Sequence, residues 1–302
     1  MYDVIILGSG PAGMSAAIYG QRARLRTLVI EEKPLSGGQI LDTYEVDNYP
    51  GLPSISGFEL GQKFRGHADR LEAEVVNTQV TDIQIENEKK IVTTKKETYE
   101  AKCLILATGA KHRKLGVPGE EKLTGMGVSY CATCDGAFFK EKTVAVVGGG
   151  DVALEDALFL ARGCEKVYLI HRRDAFRGAG ILQEKVREAS NIELVMDSHV
   201  TEIHGENQVS AVTVYHKKED QEQKLEVQGV FIAVGIQPNS ELVQGLVEQD
   251  EEGYIKAGED TRTSEPGIFA AGDVRTKQLR QVVTAVADGA NAITSIEKYM
   301  FR

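Results

Sequence analysis

The chain has 302 residues, of which 42% are hydrophobic and 26% charged, a size and composition typical of two globular domains with separate cores. Its net charge of -10 disfavours non-specific nucleic-acid binding. No apolar run reaches the roughly 18 residues of a membrane span. The apolar run 4–7 passes directly into a glycine loop, which predicts a buried first strand rather than a signal peptide. We therefore expect a cytoplasmic protein without nucleic-acid or membrane partners.

The first predicted unit is a strand, a glycine loop, a helix and a second strand. These elements are strand 4–7, loop 8–13, a helix through Arg24 and strand 27–30, which ends at Glu31. The backbone of Gly8, Gly10 and Gly13 can approach a pyrophosphate at the start of the helix. A carboxylate at Glu31 can accept hydrogen bonds from both ribose hydroxyls and would repel a 2′-phosphate. The pattern predicts a site for the adenosine half of FAD or NAD.

Two short segments with alternating polarity, 80–85 and 90–94, follow this unit and predict antiparallel strands. An apolar strand then leads into a small-residue turn over 103–110. The same succession returns later in the chain, with alternating segments 200–203 and 209–215 and a strand and turn over 230–238. Each half is therefore expected to carry a small meander and a turn that passes near a bound nucleotide.

Cys131 and Cys134 form a Cys-x-x-Cys motif, which in a cytosolic protein is more often catalytic or metal-binding than structural. A zinc site needs two further ligands, and Cys103 and Cys164 are isolated in the sequence, where they read as inert packing residues. The motif can close a small disulfide and lowers the pKa of one thiol. Asp135 follows directly and is either a general acid or a turn residue. We expect a redox-active pair and no metal.

A second strand, glycine loop, helix and strand begins at residue 143. It comprises strand 143–147, loop 148–153, a helix to Arg162 and strand 166–170, which ends at His171. The first glycine and the residue that ends the second strand are 23 positions apart in both copies (31 − 8 and 171 − 148). Two copies in the same strand–helix context are far more specific than a single glycine motif.

This second loop differs from the first in its charge. Gly148, Gly150 and Ala153 repeat the backbone role, and we include Asp151 among the nucleotide-binding residues. The acid at the end of the second strand is replaced by a basic group, whose members are His171, Arg172, Arg173 and Arg177. Guanidinium groups bind phosphate bidentately, so the loop favours NADPH over NADH. The alternative is a solvated basic helix start.

The last part of the chain returns to the first domain. A strand over 267–272 ends in Asp273, and residues 280–299 have helical apolar spacing. Asp273 would hold a hydroxyl of the FAD ribityl or phosphate-linked portion, or else cap the helix. The fold class is α/β, with two Rossmann-like (three-layer ββα) nucleotide-binding domains, the second inserted in the first. We place an FAD domain at 1–113 plus 245–302 and an NADPH domain at 114–244, with crossings near Lys114 and Gln244.

The whole chain resembles the bacterial-type, low-molecular-weight thioredoxin reductases. The resemblance rests on the block Cys131-Ala132-Thr133-Cys134-Asp135-Gly136, on both glycine loops, and on the segments 37–39, 46–51, 171–177, 270–273 and 280–281. It implies a homodimer in which Cys134 faces the flavin, Cys131 attacks the thioredoxin disulfide and Asp135 is the acid. It also implies two sets of contacts: Gly38, Gln39, Asn48, Asp273, Arg280 and Gln281 to the flavin nucleotide, and Arg172, Arg173 and Arg177 to the NADPH 2′-phosphate.

The chain departs from this family in the second nucleotide loop. Val152 stands where a small polar residue is common, and Gly178-Ala179-Gly180 replaces an alanine and charged residues. A loosened helix start there could weaken NADPH binding. Two alternatives therefore stay open: a ferredoxin-dependent flavin thioredoxin reductase, and a flavin-binding redox module without turnover.

The main hypothesis is that electrons pass from NADPH through FAD and the Cys131–Cys134 dithiol to oxidised thioredoxin. The nicotinamide and the dithiol lie in the same inserted domain, and both must reach the flavin. We therefore expect the inserted domain to rotate about its two crossings.

Overall fold

The structure is a computed structural model that describes residues 1–43 and 46–301. The chain divides into two compact units. Unit 1 comprises Met1–Thr43, Tyr49–Lys111 and Gln237–Arg302, and unit 2 comprises Tyr44–Asn48 and His112–Ile236. The second crossing lies eight residues before Gln244, because the residues after it already pack in unit 1. There the amide of Asn239 donates to the carbonyl of Gly109 (3.0 Å), and Val243 is buried in the apolar core.

The first part of the chain forms a parallel sheet that continues into an antiparallel meander. Its elements are β1 (Tyr2–Leu7), α1 (Pro11–Arg22), β2 (Thr27–Glu31), a 3₁₀ turn (Gly38–Asp42), α2 (Gly57–Arg70), β3 (Glu74–Asn77), β4 (Val80–Glu86), β5 (Lys89–Thr94), β6 (Thr98–Leu106) and β7 (Ala110–His112). Helix α1 ends two residues before the predicted Arg24, because Arg24 adopts a left-handed conformation (φ +57°) that a helix cannot continue through.

Unit 2 repeats this arrangement. Its elements are α3 (Glu120–Leu123), β8 (Val128–Ser129), α4 (Ala132–Asp135), a 3₁₀ turn (Gly136–Phe139), β9 (Thr143–Gly148), α5 (Asp151–Ala161), β10 (Lys166–Ile170), α6 (Gly180–Glu188), β11 (Ile192–Val195), β12 (Ser198–Gly205), β13 (Val209–His216), β14 (Gln221–Glu226) and β15 (Gly229–Ala233). The crossing strand β16 (Ile236–Pro238) pairs with β7. The chain closes in unit 1 with a 3₁₀ turn (Glu241–Val243), β17 (Ile268–Ala270) and α7 (Val282–Met300).

The central sheet of each unit is parallel. In unit 1 the strand order is β3-β2-β1-β6, and β6 pairs along one edge with both β17 and the antiparallel β5-β4 meander. In unit 2 the order is β11-β10-β9-β15-β8, and β12-β13-β14 form a separate antiparallel sheet. These pairings confirm both predicted strand–helix–strand units and both predicted meanders.

Each sheet has a core on both faces, as strands between two layers require. In β1, Val4 and Ile6 pack towards α1 and α7, whereas Ile5 and Leu7 face the meander side. In β9, Val144 and Val146 pack towards α5, and Ala145 and Val147 face β12 and β13. The alternation of these side chains explains the three-layer ββα arrangement in both units.

Helices α1 and α7 cross closely in unit 1. A Cβ at Gly289 would overlap the carbonyl oxygen of Ala12, so only glycine permits this approach. The Ser15 hydroxyl donates to the carbonyl of Val286 (2.7 Å) at the same crossing. The predicted helix 280–299 is confirmed as α7, and it lies against the helix that follows the first glycine loop. No helix in the described part of the chain is long and apolar enough to cross a membrane.

Candidate active site

The first glycine loop of unit 1 connects β1 to α1. Gly8 adopts φ +103°, and a Cβ on Gly13 would overlap the carbonyl oxygen of Gly8, so the turn can close only around glycines. Gly10 is the residue before α1 and carries no side chain that would cover the helix N-terminus. Gly38, with φ +62°, lies against it: a Cβ on Gly38 would be 3.3 Å from the Gly10 Cα. The loop and the start of α1 form an anion site of the type that binds a pyrophosphate.

Glu31 lies at the end of β2, as predicted, and it also braces the loop. Its Oε2 accepts hydrogen bonds from the amide and the hydroxyl of Ser9, each 2.8 Å long. Its Oε1 accepts from the amide of Lys33 (2.9 Å). A carboxylate oxygen has further lone pairs, so Glu31 can still accept from ribose hydroxyls. The role of Ser9 was missed, because its only sequence signal is a hydroxyl inside the loop.

Three buried polar atoms in unit 1 have no hydrogen-bond partner among the described residues: Oγ1 of Thr78, Oδ1 of Asp273 and Nε of Arg280. Burial raises the pKa of Asp273, while Lys277 and Arg280 oppose that shift. The Arg280 guanidinium lies 4.0 Å from the ring centre of Tyr254, a cation–π contact that fixes its plane. Buried polar groups normally find a partner. The acceptor oxygen of Asp273 and the donor nitrogen of Arg280 therefore fit contacts to a bound dinucleotide.

Asp288 is a site residue that the sequence did not indicate. It is buried in α7 and accepts hydrogen bonds from the Gly272 amide (2.8 Å), Arg275 (2.7 and 2.9 Å) and Lys277 (2.8 Å). Burial raises the pKa of Asp288, but the Arg275 and Lys277 bonds outweigh burial and hold it below its ordinary value. This cluster fixes the backbone next to Asp273. The one available signal was a single acid on the buried stripe of a helix.

Three further residues were predicted for this site. Gln39 and Gln281 lie in unit 1, and Asn48 belongs to unit 2. Gln39 is half-buried in the 3₁₀ turn that follows Gly38. Gln281 precedes α7 and caps it reciprocally with Thr284, so its position is set by the helix. Asn48 is exposed.

The second glycine loop, in unit 2, rests on His171. A Cβ on Gly149 would overlap the His171 imidazole, which is 6% exposed and whose Nε2 lies 3.2 Å from the Ala175 carbonyl oxygen. Burial lowers the pKa of His171, with a further contribution from Arg177 and Arg173. The imidazole is therefore held neutral beneath the loop, whereas the sequence suggested a cation. His171 would act on a bound nucleotide by supporting the shape of the loop.

The three arginines of this loop have the exposure that anion binding needs. Arg172, Arg173 and Arg177 are exposed while the intervening Phe176 is buried, so the guanidinium groups extend into solvent. Within the described residues none of them forms an ion pair with a carboxylate. The Arg177 amide donates to the Gly149 carbonyl (2.8 Å), which ties this arginine to the loop.

The segment after Arg177 is braced. Asp151 Oδ1 accepts from the amide of Ala179 (2.7 Å), and Gln183 Nε2 donates to the carbonyl of Gly178 (2.7 Å). A Cβ on Gly178 would lie 2.5 Å from Leu154 Cδ1, so the Leu154 side chain on α5 has room here because residue 178 is a glycine. Gly178 therefore accommodates Leu154 and does not indicate a loose helix start. Val152 is exposed at the start of α5, and nothing in the structure explains it.

Cys131 and Cys134 are joined by a disulfide, with their Cα atoms 5.3 Å apart. Cys131 precedes the single turn α4, and its carbonyl accepts from the amides of Cys134 (3.3 Å) and Asp135 (3.1 Å). The Thr133 hydroxyl lies 3.4 Å from Cys131 Sγ and must be the donor, since a disulfide sulfur has no proton. Both cysteines are half-buried, whereas Cys103 and Cys164 are buried free thiols. The predicted pair is therefore formed.

Asp135 ends α4 with a largely buried carboxyl group. Its Oδ2 accepts a 2.5 Å hydrogen bond from the Ser129 hydroxyl, and its Oδ1 is buried without a partner in the described part of the chain. Burial raises the pKa of Asp135, and the Ser129 bond opposes that shift. The Ser129 oxygen also accepts from the Cys131 amide (3.0 Å). Sequence reasoning did not single out Ser129.

Unit 1 thus presents a dinucleotide loop with open polar atoms, and unit 2 a second loop with a basic edge and a redox disulfide. The family model for pyridine nucleotide-disulphide oxidoreductases matches residues 2–289, and the chain belongs to that family. It is an oxidoreductase that uses a flavin and a pyridine nucleotide.

Individual relatives are similar over nearly their whole length. A thioredoxin reductase of Listeria innocua is 47% identical over 99% of this chain and 94% of its own. One from Bacillus subtilis is 45% identical over 99% and 95%. The crystal structure of a thioredoxin reductase from Streptococcus pyogenes has a TM-score of 0.95 at 45% identity, covering 100% of this chain and 98% of that one.

Proposed function

We propose that this oxidoreductase is an NADPH-dependent thioredoxin-disulfide reductase that holds FAD in unit 1 and NADPH in unit 2. The observation that carries the proposal is the Cys131–Cys134 disulfide on α4, in the same unit as a glycine loop edged by three unpaired arginines. The full-length similarity to thioredoxin reductases supports thioredoxin as the electron acceptor.

The residues that would hold FAD are those around the first loop. The backbone of Gly8, Gly10 and Gly13 would approach its pyrophosphate, with Glu31 at the ribose. Asp273 and Arg280 would meet its hydroxyl and carbonyl groups with the polar atoms now left open. We further assign Gly38, Gln39, Asn48 and Gln281 to the flavin end. Bound FAD supplies a two-electron path from the nicotinamide to the disulfide.

The residues that would hold NADPH are those of the second loop. Gly148, Gly150 and Asp151 shape its helix start, and His171 supports it from below. Arg172, Arg173 and Arg177 would pair with the 2′-phosphate, which NADH lacks. The second strand ends in the acid Glu31 in unit 1, whereas Arg172 and Arg173 follow the second strand in unit 2, so each loop is suited to a different dinucleotide.

The dithiol would pass electrons onward by exchange. Two electrons open the Cys131–Cys134 bond, and the Cys131 thiolate then attacks a thioredoxin disulfide sulfur to form a mixed disulfide. Cys134 next attacks the Cys131 sulfur, which releases reduced thioredoxin and restores the intramolecular disulfide. Asp135 would supply and recover the proton that the leaving sulfur needs. The enzyme would act in the reducing cytoplasm, where Cys103 and Cys164 stay as thiols.

We also propose that the protein is a homodimer. Unit 1 leaves several large apolar side chains exposed: Leu35, Phe58, Leu279 and Val283, at 45%, 52%, 55% and 42%. Covering such side chains with a second subunit would remove apolar surface from water. Sedimentation equilibrium at micromolar concentration should give twice the mass of 33.0 kDa.

The deciding experiment is an anaerobic titration of the purified flavoprotein with NADPH, followed by oxidised thioredoxin. NADPH should bleach the flavin absorbance, and thioredoxin should restore it in stoichiometric amount. Cys131→Ser should still bleach but lose turnover at least about 1,000-fold. If NADPH leaves the flavin oxidised while reduced ferredoxin bleaches it, the donor assignment is wrong. If Cys131→Ser reduces thioredoxin at the wild-type rate, the dithiol mechanism is wrong and the protein is a flavin-binding redox module.

A further inference from the structure

The Ser129 side chain forms hydrogen bonds both with the backbone of Cys131 and with the carboxyl group of Asp135. This serine is the last residue of β8 and is 5% exposed. Its hydroxyl oxygen accepts from the Cys131 amide at 3.0 Å, and the hydroxyl donates to Asp135 Oδ2 at 2.5 Å. The Cys131 carbonyl, at 3.3 Å, is a weaker alternative acceptor. One side chain thereby fixes both ends of the α4 turn.

This arrangement makes the two oxygens of Asp135 unequal. Oδ2 is occupied as an acceptor of the Ser129 hydroxyl, whereas Oδ1 is buried and unpartnered within the described chain. A buried acceptor without a partner is unfavourable, and it is most unfavourable when the group is ionised. When the carboxyl group takes up a proton, that proton therefore belongs on Oδ1.

We propose that Ser129 is a positioning residue for proton transfer, because its hydroxyl holds Asp135 by Oδ2 and leaves Oδ1 to carry the proton that the leaving thioredoxin sulfur takes up. The inference rests on the acid role proposed for Asp135. Its consequence is that the hydroxyl of Ser129 sets the protonation range of Asp135, although it touches neither substrate nor sulfur.

The proton balance of exchange shows what Oδ1 would do. The Cys131 thiol loses its proton to solvent, and its thiolate breaks the thioredoxin disulfide. The leaving thioredoxin sulfur takes the proton from Asp135 Oδ1. The Cys134 thiol then returns a proton to Asp135 as its sulfur displaces the second thioredoxin sulfur, which is protonated from solvent. Two electrons move from the dithiol to thioredoxin, and Asp135 ends as it began.

Other charged groups near α4 have little influence on Asp135. Helix α5 packs against α4 and carries the acids Asp151, Glu155 and Asp156. The 3₁₀ turn Gly136–Phe139 and strand β8 carry no charged side chain. Only burial and Ser129 shift the pKa of Asp135, so removing the hydroxyl should raise that pKa further. The pKa of Asp156 is itself raised to about 7 by burial and by Glu155, so the experiment must separate the two acids.

Ser129→Ala removes the hydroxyl, and Ser129→Thr keeps it. One measurement is an infrared titration of the protonated carboxyl band of Asp135 in the oxidised enzyme, with the band assigned by its loss in Asp135→Asn. The other is the pH dependence of single-turnover thioredoxin reduction by enzyme pre-reduced with dithiothreitol, which needs no nicotinamide. Ser210→Ala, an exposed hydroxyl on β13, is the matched control. Thermal unfolding checks that each variant is folded.

In Ser129→Ala the Asp135 band and the alkaline limb of the rate profile should both move up by about one pH unit. The limb moves up because the protonated acid is the active form and persists to higher pH. Ser129→Thr and Ser210→Ala should leave both in place, and Asp156→Asn should leave the limb in place. In the Asp135→Asn background, Ser129→Ala should add no further shift.

Two results would count against these assignments in different ways. If Asp135→Asn abolishes the alkaline limb but Ser129→Ala leaves limb and band unchanged, the positioning role of Ser129 is wrong and the acid role stands. If Asp135→Asn itself leaves the limb unchanged, the acid role proposed for Asp135 fails, and the inference about Ser129 fails with it.

Discussion

Asp273 has a buried carboxyl group with one oxygen that a ligand group could reach as a donor. Its carboxyl group is buried, which raises its pKa, and its Oδ1 has no partner in the described chain. Because a charge-assisted hydrogen bond to a buried ligand group contributes about 2–3 kcal/mol, Asp273→Ala should weaken FAD binding about 30- to 150-fold. The FAD-free protein should unfold at a temperature no lower than the wild type, since an unpaired buried acid is removed.

Fluorescence titration of the FAD-free protein and thermal unfolding with and without FAD measure both effects. Asp82→Ala, an exposed acid on β4 in the same unit, should leave the FAD affinity unchanged. Equal affinity in Asp273→Ala and the wild type would exclude Asp273 as a contact to the cofactor.

We expect Asp156 to make the stability of the protein depend on pH. Burial first, and then the Glu155 charge, raise its pKa from 3.8 to about 7. A raised folded-state pKa contributes stability that is fully present below the unfolded value near 4 and is lost as the pH rises through about 7. Asp156→Asn cannot ionise, so it should be more stable than the wild type at pH 8 and similar to it at pH 4.

The expected gain at pH 8 is about 1–2 kcal/mol, because partial exposure screens much of the shift. Thermal unfolding between pH 4 and pH 8 measures it, with Glu184→Gln, an exposed helix acid in the same unit, as control. A variant whose stability runs parallel to that of the wild type at every pH would show that Asp156 does not titrate in this range.

At the level of elements, substitutions of Gly178 and Leu154 test how α5 packs against the segment that follows Arg177. A Cβ on Gly178 would meet Leu154 Cδ1 at 2.5 Å and the Asp151 amide nitrogen at 3.1 Å. Gly178→Ala should therefore displace the segment after Arg177, raise the NADPH KM about 5- to 20-fold and lower the melting temperature. Leu154→Val in the same chain should recover part of both losses.

The double-mutant cycle should give a favourable coupling of about 1 kcal/mol between the two positions. Gly180→Ala, two residues further on, has open space around its Cβ position and serves as the control. Additive effects of the two substitutions would mean that Gly178 is needed for its backbone and not for its fit to Leu154.

The sequence predicted most of the elements because their signals are local. Each strand–loop–helix unit needs glycines at fixed spacing and apolar side chains on both faces of a parallel strand, and β1, α1, β9 and α5 follow that pattern. The second crossing was placed late, because the pairing of β16 with β7 is a long-range contact. The basic loop was identified by charge, but the burial of His171 beneath Gly149 depends on tertiary packing that no sequence pattern records.

The site was predictable to the same extent. Cys131, Cys134 and Asp135 are adjacent in the chain, so their motif could be read directly. Ser129 and Asp288 act through hydrogen bonds to groups 6 and 16 residues away, and nothing in their own neighbourhoods distinguishes them from ordinary polar residues. Residues that hold such groups in place are therefore found from the structure, whereas the motif that contains the predicted catalytic groups can be read from the sequence.

For the whole molecule, the distribution of the sites over the units imposes a requirement. The dithiol and the basic loop both belong to unit 2, and the residues proposed for FAD lie almost all in unit 1. The nicotinamide and the disulfide must each meet the flavin in one catalytic cycle, and Cys131 must also meet a partner protein. Besides the two boundaries of the short segment 44–48, the chain crosses between the units through β7 and β16. We therefore expect unit 2 to rotate as a body about these two crossings during turnover.

Small-angle X-ray scattering detects such a rotation without labels. The scattering profile of the oxidised enzyme should change when the flavin is reduced by dithionite in the presence of a saturating NADP⁺ analogue. The change should be absent in an Arg172→Gln, Arg177→Gln double variant, because weaker 2′-phosphate pairing leaves the analogue unbound and removes its preference for one arrangement. An NADH analogue, which has no 2′-phosphate, should leave the scattering profile of the wild type as little changed as the NADP⁺ analogue leaves that of the double variant. Identical profiles in both redox states of the wild type would mean that one fixed arrangement serves all three encounters.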